Sequence, residues 1–299
     1  MRVSYSPGYY APIPHEHIFP MGKFEGLYRY VLENEMISSS DIIVPTMVDM
    51  ANLLSVHTNR YADGIMTGNL GHKELRRLGL PWSEKLAIRS RLAVQGTINA
   101  AIMALQDGIA GNLAGGTHHA MADHGEGFCV FNDVAVAVKV LRQSMWARKV
   151  LIIDCDVHQG NGTAEILKNN PDIFTFSIHG EKNYPFKKPP STLDIGMPDG
   201  AKDNSYLNTL GDAMDKIFDD FNPDLVFYLG GIDPLETDHF GRLSLTLNGL
   251  YNRDRLVIKK VMDENKPLVL LLSGGYGPSL KATVEAHALM YKAALEIWN

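Results

Sequence analysis

From residue 80 onward the chain alternates between two hydrophobic rhythms. After Pro81 and Trp82, apolar residues at Leu86, Ile88, Leu92, Val94, Ile98 and Ile102 recur at helical spacing as far as Asp107 and Gly108, which predicts a long helix closed by glycine. VAVAVKVL (134–141), AEILKN, the amphipathic LGDAMDKIFDDF, VIKKVMDEN and the closing TVEAHALMYKAALEIW carry the same rhythm. Between them lie short unbroken apolar runs, KVLIIDCD, IFTFSIHG, DLVFYLGG and LVLLLSGG. Runs of that kind predict strands buried on both faces, as in a mainly parallel sheet flanked by helices on both sides. The fold class is therefore α/β. No repeat, low-complexity tract or linker-like composition divides the chain, so residues 1–299 are read as one domain.

Composition narrows the function. At 45% hydrophobic residues the chain can bury one large core, and 28 Lys+Arg against 34 Asp+Glu leave a formal charge of −6. No basic block could track a phosphate backbone, so a direct nucleic-acid partner is not expected. No apolar run reaches the length of a membrane span, and MRVSYSPGYYAPIP lacks the continuous apolar segment of an export signal. Cys129 and Cys155 stand apart in apolar settings and read as buried reduced thiols. Together these features predict a cytoplasmic protein.

The chemistry gathers where strands end. LIID runs into Asp154, Asp156 and His158, TFSI into Ser177 and His179, VFYLGG into Asp233, and VLLLSGG into Tyr276. Ligands of parallel α/β sheets collect outside the carboxyl ends of the strands. An isolated Asp or His there can be a helix cap or a satisfied core group. In D-x-D-x-H, however, an extended backbone projects residues 154, 156 and 158 to one side and Cys155 and Val157 to the other. Carboxylates and imidazole massed on one face resist burial unless a cation neutralises them. Oxygen and nitrogen donors without thiolate suit Zn²⁺ or Fe²⁺. Asp156 and His158 are the first two candidate ligands; Asp233 is the best third, with Asp238 a weaker choice that could organise the loop.

GGTHHA places adjacent His118 and His119 after two glycines, and SGGYG places Tyr276 at another strand end. Imidazoles can move protons for a metal-assisted hydrolysis and a phenol can donate to an oxyanion, although an exposed turn and a packing aromatic are the plainer alternatives. Together the clues describe metal-assisted hydrolysis of an amide or ester.

GGTHHA, HGEGFCVFNDVAVA, DCDVHQGNGT, FSIHG, GGIDPLETDHFGRLSLT and SGGYG occur in the order found in zinc-dependent histone deacetylases. The chain resembles that family of the arginase/deacetylase fold over roughly residues 1 to 295. HQGNG and SGGY make it most similar to the class IV branch and its bacterial relatives. The resemblance implies zinc on Asp156, His158 and Asp233, and His119 as proton shuttle beside His118, which hydrogen-bonds to Asp154. Tyr276 would donate to the substrate carbonyl. It further implies a potassium ion bound through Asp154, Ser177 and the main chain of Asp156, His158 and Ile178. The implied substrate tunnel has Gly127 and Phe128 on one wall, Tyr184 on the other with Phe186 as an alternative, and Phe240 at the rim.

Asn161 stands where class I enzymes carry an aspartate beside the shuttling histidine, which predicts a lower pKa for His119. The implied activity is hydrolysis of acyl-lysine in a protein or peptide. The alternatives are an amidohydrolase of small acetylated amines such as acetylpolyamines, and a catalytically silent scaffold that binds acyl-lysine. Phe240 in place of a rim acid disfavours the polyamine reading. Tyr9 and Tyr10 are candidates for the mouth of the site, and His15 and His17 give a weak H-x-H signal for a second metal.

Overall fold

A computed structural model describes residues 1–298. Eight strands form one sheet: β1 (Val3–Ser4), β2 (Ile42–Ile43), β3 (Ile109–Asn112), β4 (Val150–Asp154), β5 (Ile173–Gly180), β6 (Leu193–Met197), β7 (Leu225–Leu229) and β8 (Leu268–Leu271). Their spatial order is β2-β1-β3-β8-β7-β4-β5-β6, and every pairing is parallel. Among the described residues the ten α-helices are α1 (Lys23–Glu33), α2 (Met50–Leu54), α3 (Asn59–Thr67), α4 (His72–Leu78), α5 (Glu84–Asp107), α6 (Asp133–Gln143), α7 (Asn161–Leu167), α8 (Asp203–Asp220), α9 (Leu247–Asp263) and α10 (Leu280–Trp298).

The central strands β3, β4, β7 and β8 are buried at every residue; β4, β7 and β8 meet the helices on both faces with apolar runs, β3 with two small residues and a buried asparagine. Helix α5 packs on β3, β8 and α6, while α9, which also meets β8, packs with α8 and α10, and α10 with α1. Strand β6 closes one edge, where LDIGM alternates between half-buried and exposed residues until its buried last position.

Helix α5 matches the predicted span. The Ser83 side chain accepts the Leu86 N–H at its start, and Gly108 ends it at φ 91°. Of its predicted apolar face, Leu86, Val94 and Ile98 are buried, whereas Ile88 faces solvent. The run VAVAVKVL lies within α6, nearly all of it buried. Strands β1, β2, β3 and β6 and helices α1 to α4 are the elements that hydrophobic rhythm did not identify.

Candidate metal centre and active-site cavity

Five adjacent strands, β3, β8, β7, β4 and β5, deliver their carboxyl ends to one place. Past β4 the backbone leaves the ladder but keeps its alternation: Cys155 and Val157 enter the core, while Asp154 Oδ1 accepts the Asp156 N–H at 3.1 Å and Asp156 Oδ1 the His158 N–H at 3.0 Å. The loop after β7 is fastened to this one, with Val157 N donating to Asp233 Oδ1 at 2.8 Å.

Asp156, His158 and Asp233 each offer a ligand atom within 4.8 Å of the others. Asp156 Oδ2 accepts from Ser273 Oγ at 2.8 Å and Gly274 N at 2.7 Å, which orients that carboxylate. Asp233 Oδ2 is buried with no hydrogen-bond partner among the described residues and lies 3.3 Å from His158 Nδ1. Burial opposes protonation of His158, but the two carboxylates outweigh it and push the imidazole up to about 10. Burial, followed by the charge of Asp156, raises Asp233 to about 7. A proton between these groups thus offsets charge that a cation would otherwise offset. An orphaned buried oxygen, two carboxylates, one imidazole and no thiolate fit a divalent ion such as zinc or ferrous iron.

The tandem histidines follow β3. His118 Nδ1 is 2.7 Å from Asp154 Oδ2; burial opposes its protonation, yet Asp154 and Asp156 push it up to about 9. His119 Nδ1 is 2.6 Å from Asn161 Oδ1 at the start of α7. Burial, then the neighbouring imidazoles of His118 and His158, hold His119 well below its ordinary value. The amide of Asn161 acts in the other direction, since its hydrogen bond favours the protonated ring; the depression comes from burial and the two imidazoles. Asn161 Nδ2 in turn donates to Glu126 Oε1 at 2.5 Å. This fixes the amide so that its oxygen faces His119, placing the imidazole hydrogen on Nδ1 and the lone pair on Nε2.

The histidine loop is pinned from α6: Asp133 Oδ2 accepts Gly116 N at 3.0 Å and Asp133 Oδ1 accepts Thr117 N at 2.7 Å. Gly116, at φ 78°, also passes so near the next strand's loop that a Cβ there would sit 2.8 Å from Ser273 N.

These groups border a cavity of about 380 Å³ that Tyr276, Phe128, Tyr184 and Phe240 line with aromatic rings. The Tyr276 ring lies 5.8 Å from Phe128 and 4.9 Å from Phe240, and the His119 ring 5.1 Å from Tyr184. Burial raises the Tyr276 phenol well above its ordinary value, keeping it a donor. Gly127 backs the His119 ring, since a Cβ would come within 2.6 Å of it. Phe186 is 91% exposed, so Tyr184 and not Phe186 is the lining ring. Asp238 accepts the N–H groups of Phe240, Gly241 and Tyr276. It organises the loop and is not part of the three-residue metal cluster.

Several site residues carry no sequence signal of their own. Glu126, Asp133 and Ser273 act through partners far away in the chain. Lys23 and Arg89, buried basic residues on α1 and α5, also border the cavity, and burial lowers Lys23 to about 8. Other expectations are corrected. Tyr9 is a core residue whose hydroxyl donates to Asn112 Oδ1 at 2.8 Å, and neither it nor exposed Tyr10 lines the cavity. His17 braces a loop through Gly79 O and Phe19 N, while His15 is exposed, and the pair is not a metal group among the described residues.

Residues 17–291 match the histone deacetylase domain. An uncharacterised protein of Picosynechococcus sp. is 42% identical over 99% of each chain. Histone deacetylase 2 of Arabidopsis thaliana is 29% identical over 87% of this chain and 70% of its own. Acetoin utilization protein AcuC of Bacillus subtilis is 30% identical over 82% and 69%. An HDAC homolog from Aquifex aeolicus shares the fold with a TM-score of 0.81 at 23% identity, covering 98% of this chain and 83% of that one. An HDAC homolog complexed with SAHA shares it at 0.80 and 24% identity, covering 100% and 88%.

Proposed function

The chain belongs to the histone deacetylase family, and from that premise we propose that it hydrolyses the amide bond of acyl-lysine in a protein or peptide. Asp156, His158 and Asp233 would hold a divalent ion, with zinc the first choice and ferrous iron the second. When bound, that ion supplies Lewis-acid polarisation and a lowered water pKa. A potassium ion is proposed below it at Asp154, Ser177 and the main chain of Asp156, His158 and Ile178; the register supports this by setting Asp154 opposite Ser177.

The carrying observation is the unpartnered Asp233 oxygen within a three-residue ligand cluster on the cavity that the tandem histidines and Tyr276 share. His119 Nε2, left free by the bond at Nδ1, takes a proton from the attacking water. It returns that proton to the lysine nitrogen as the C–N bond breaks, because an amide nitrogen expelled as an anion is a very poor leaving group. Tyr276 donates its hydroxyl hydrogen to the substrate carbonyl oxygen as charge builds there. His118, paired with Asp154, holds positive charge beside the reacting groups. Phe128 and Tyr184 enclose the lysine methylenes, and Gly127 lets that wall approach His119.

A protein or peptide substrate is favoured over an acetylated polyamine. Phe240 is the rim residue, and exposed Arg76 and Arg77 also border the cavity, where they would repel a polycation.

The test is turnover of lysine peptides carrying acetyl, propionyl, octanoyl and myristoyl groups, alongside an acetylated polyamine, with zinc-loaded and chelator-stripped protein. Peptide turnover that is lost on stripping, restored by zinc and absent in Asp233→Ala is the expected result. Preference for the polyamine, or stoichiometric zinc with no turnover of any acyl-lysine, overturns the reading; peptide binding in the latter case would indicate a silent scaffold.

A further inference from the structure

Helix α9 carries Arg253 and Asp254 side by side. Both are buried, and Arg253 is fully enclosed. Arg253 Nη1 donates to Gly231 O at 2.5 Å and Cys155 O at 3.2 Å, while Nε and Nη2 donate to Asp254 Oδ1 at 3.1 and 2.7 Å. Asp254 Oδ1 also accepts the Tyr228 hydroxyl. The two carbonyls belong to different loops: Cys155 lies between Asp154 and Asp156 after β4, and Gly231 lies two residues before Asp233 after β7. A single guanidinium nitrogen therefore bridges the loops that present Asp156 and Asp233. Directly, those loops share only the bonds Val157 N to Asp233 Oδ1 and Cys155 N to Leu229 O, at 2.8 and 3.1 Å, among the described hydrogen bonds.

Resting on the metal reading above, we infer that Arg253 is a positioning residue for the ion site. Its planar fork sets the spacing of the Asp156 and Asp233 loops, and through it the affinity and coordination geometry of the ion. Asp254 neutralises the buried guanidinium, and Tyr228 fixes Asp254 in turn. Lysine at 253 would retain a cation for Asp254 but could not reproduce the rigid fork that addresses two carbonyls and a carboxylate together. Arg253→Lys thus separates charge from geometry.

The experiment titrates Co²⁺ into metal-stripped full-length protein and follows its visible absorption, with melting of the metal-free protein recorded beside it. Arg253→Lys is expected to weaken Co²⁺ binding by about 10–100-fold, as loss of an outer support of a metal site does. It should also shift the absorption bands, and lower kcat at saturating zinc with KM nearly unchanged. Tyr228→Phe, which keeps the arginine and loosens Asp254, should weaken binding in the same direction by less. Affinity within twofold of the parent with an unmoved spectrum in Arg253→Lys overturns the inference even if the melting point falls, because that is the mark of a purely structural residue. If Arg253→Lys does not fold, Tyr228→Phe decides by the same two readouts. A parent protein that takes up no Co²⁺ overturns the metal reading itself and this inference with it; a parent that binds while the variants match it overturns this inference alone.

Discussion

Two buried histidines show how one side chain serves opposite ends. His57 is enclosed near Phe131 and Tyr61, and backbone occupies both its nitrogens: Nδ1 faces Met121 O at 3.1 Å, and Nε2 accepts Asn132 N at 3.0 Å. Burial lowers it to about 4, so it is neutral in the folded protein near pH 7. His119 is equally buried, but only Nδ1 is engaged, by a side-chain amide. The first ring fastens two stretches of chain and has no atom left for chemistry. The second is held by one nitrogen and leaves the other toward the cavity. On the proposed function, what separates a structural imidazole from a reactive one here is the number of nitrogens the fold consumes.

The strongest way to break this comparison is to remove each ring in turn. His119→Gln should lower kcat on an acyl-lysine peptide by about 10²–10⁴-fold, the range for loss of a general acid-base, with little change in thermal melting. Loss of activity only in proportion to loss of folded protein would sink the distinction. His57→Leu should do the reverse. It orphans a buried N–H and a buried carbonyl, costing about 2–4 kcal/mol in chemical denaturation, while kcat per folded molecule stays within a few fold.

The same ring predicts an acid response. Since its folded pKa is depressed, the unfolded chain binds the extra proton between about 6.5 and 4. The stability contributed by His57 is therefore complete above pH 6.5 and is lost as pH falls toward 4. Denaturation profiles of parent and His57→Leu should converge over that window; parallel profiles would contradict it.

Smaller changes sharpen the picture at His119. In Asn161→Asp a carboxylate would face Nδ1 and raise the imidazole pKa, moving the acidic limb of the kcat/KM profile up by about one pH unit. An unshifted limb would mean that the partner's charge does not reach the reacting nitrogen. Glu126→Leu should cost least, about 3–10-fold in kcat, by freeing the Asn161 amide to flip its nitrogen toward the ring. Equal activity in parent and variant would show that the amide keeps its orientation unaided.

Legibility in the sequence followed the range of the interactions. Strands β4, β5, β7 and β8 were readable because burial on both faces leaves a run of large apolar residues. Strand β3 was not, since IAGN offers two small residues and an asparagine whose burial depends on Tyr9, Ala93 and Thr97. Asp156 and His158 declared themselves by spacing, and Asp233 by the glycines before it. Glu126 and Arg253 did not, because a carboxylate bound to an amide 35 positions away, or a guanidinium reaching a carbonyl 98 positions away, leaves no local pattern. Tyr9 misled for the same reason: beside Tyr10 it is a candidate for the mouth of the site, and only the folded chain shows its hydroxyl closing on Asn112.

The tight passage at Gly116 has a mechanical corollary. With no room for even a methyl group between it and Ser273, the segment bearing the paired imidazoles and the segment bearing the phenol cannot be pressed closer, and Ser273 ties them through its N–H to Gly115 O at 3.1 Å and its hydroxyl to Gly116 O at 3.2 Å. Prying those two apart for a bulkier guest would break both hydrogen bonds, whereas rotating the side chains around them would break neither.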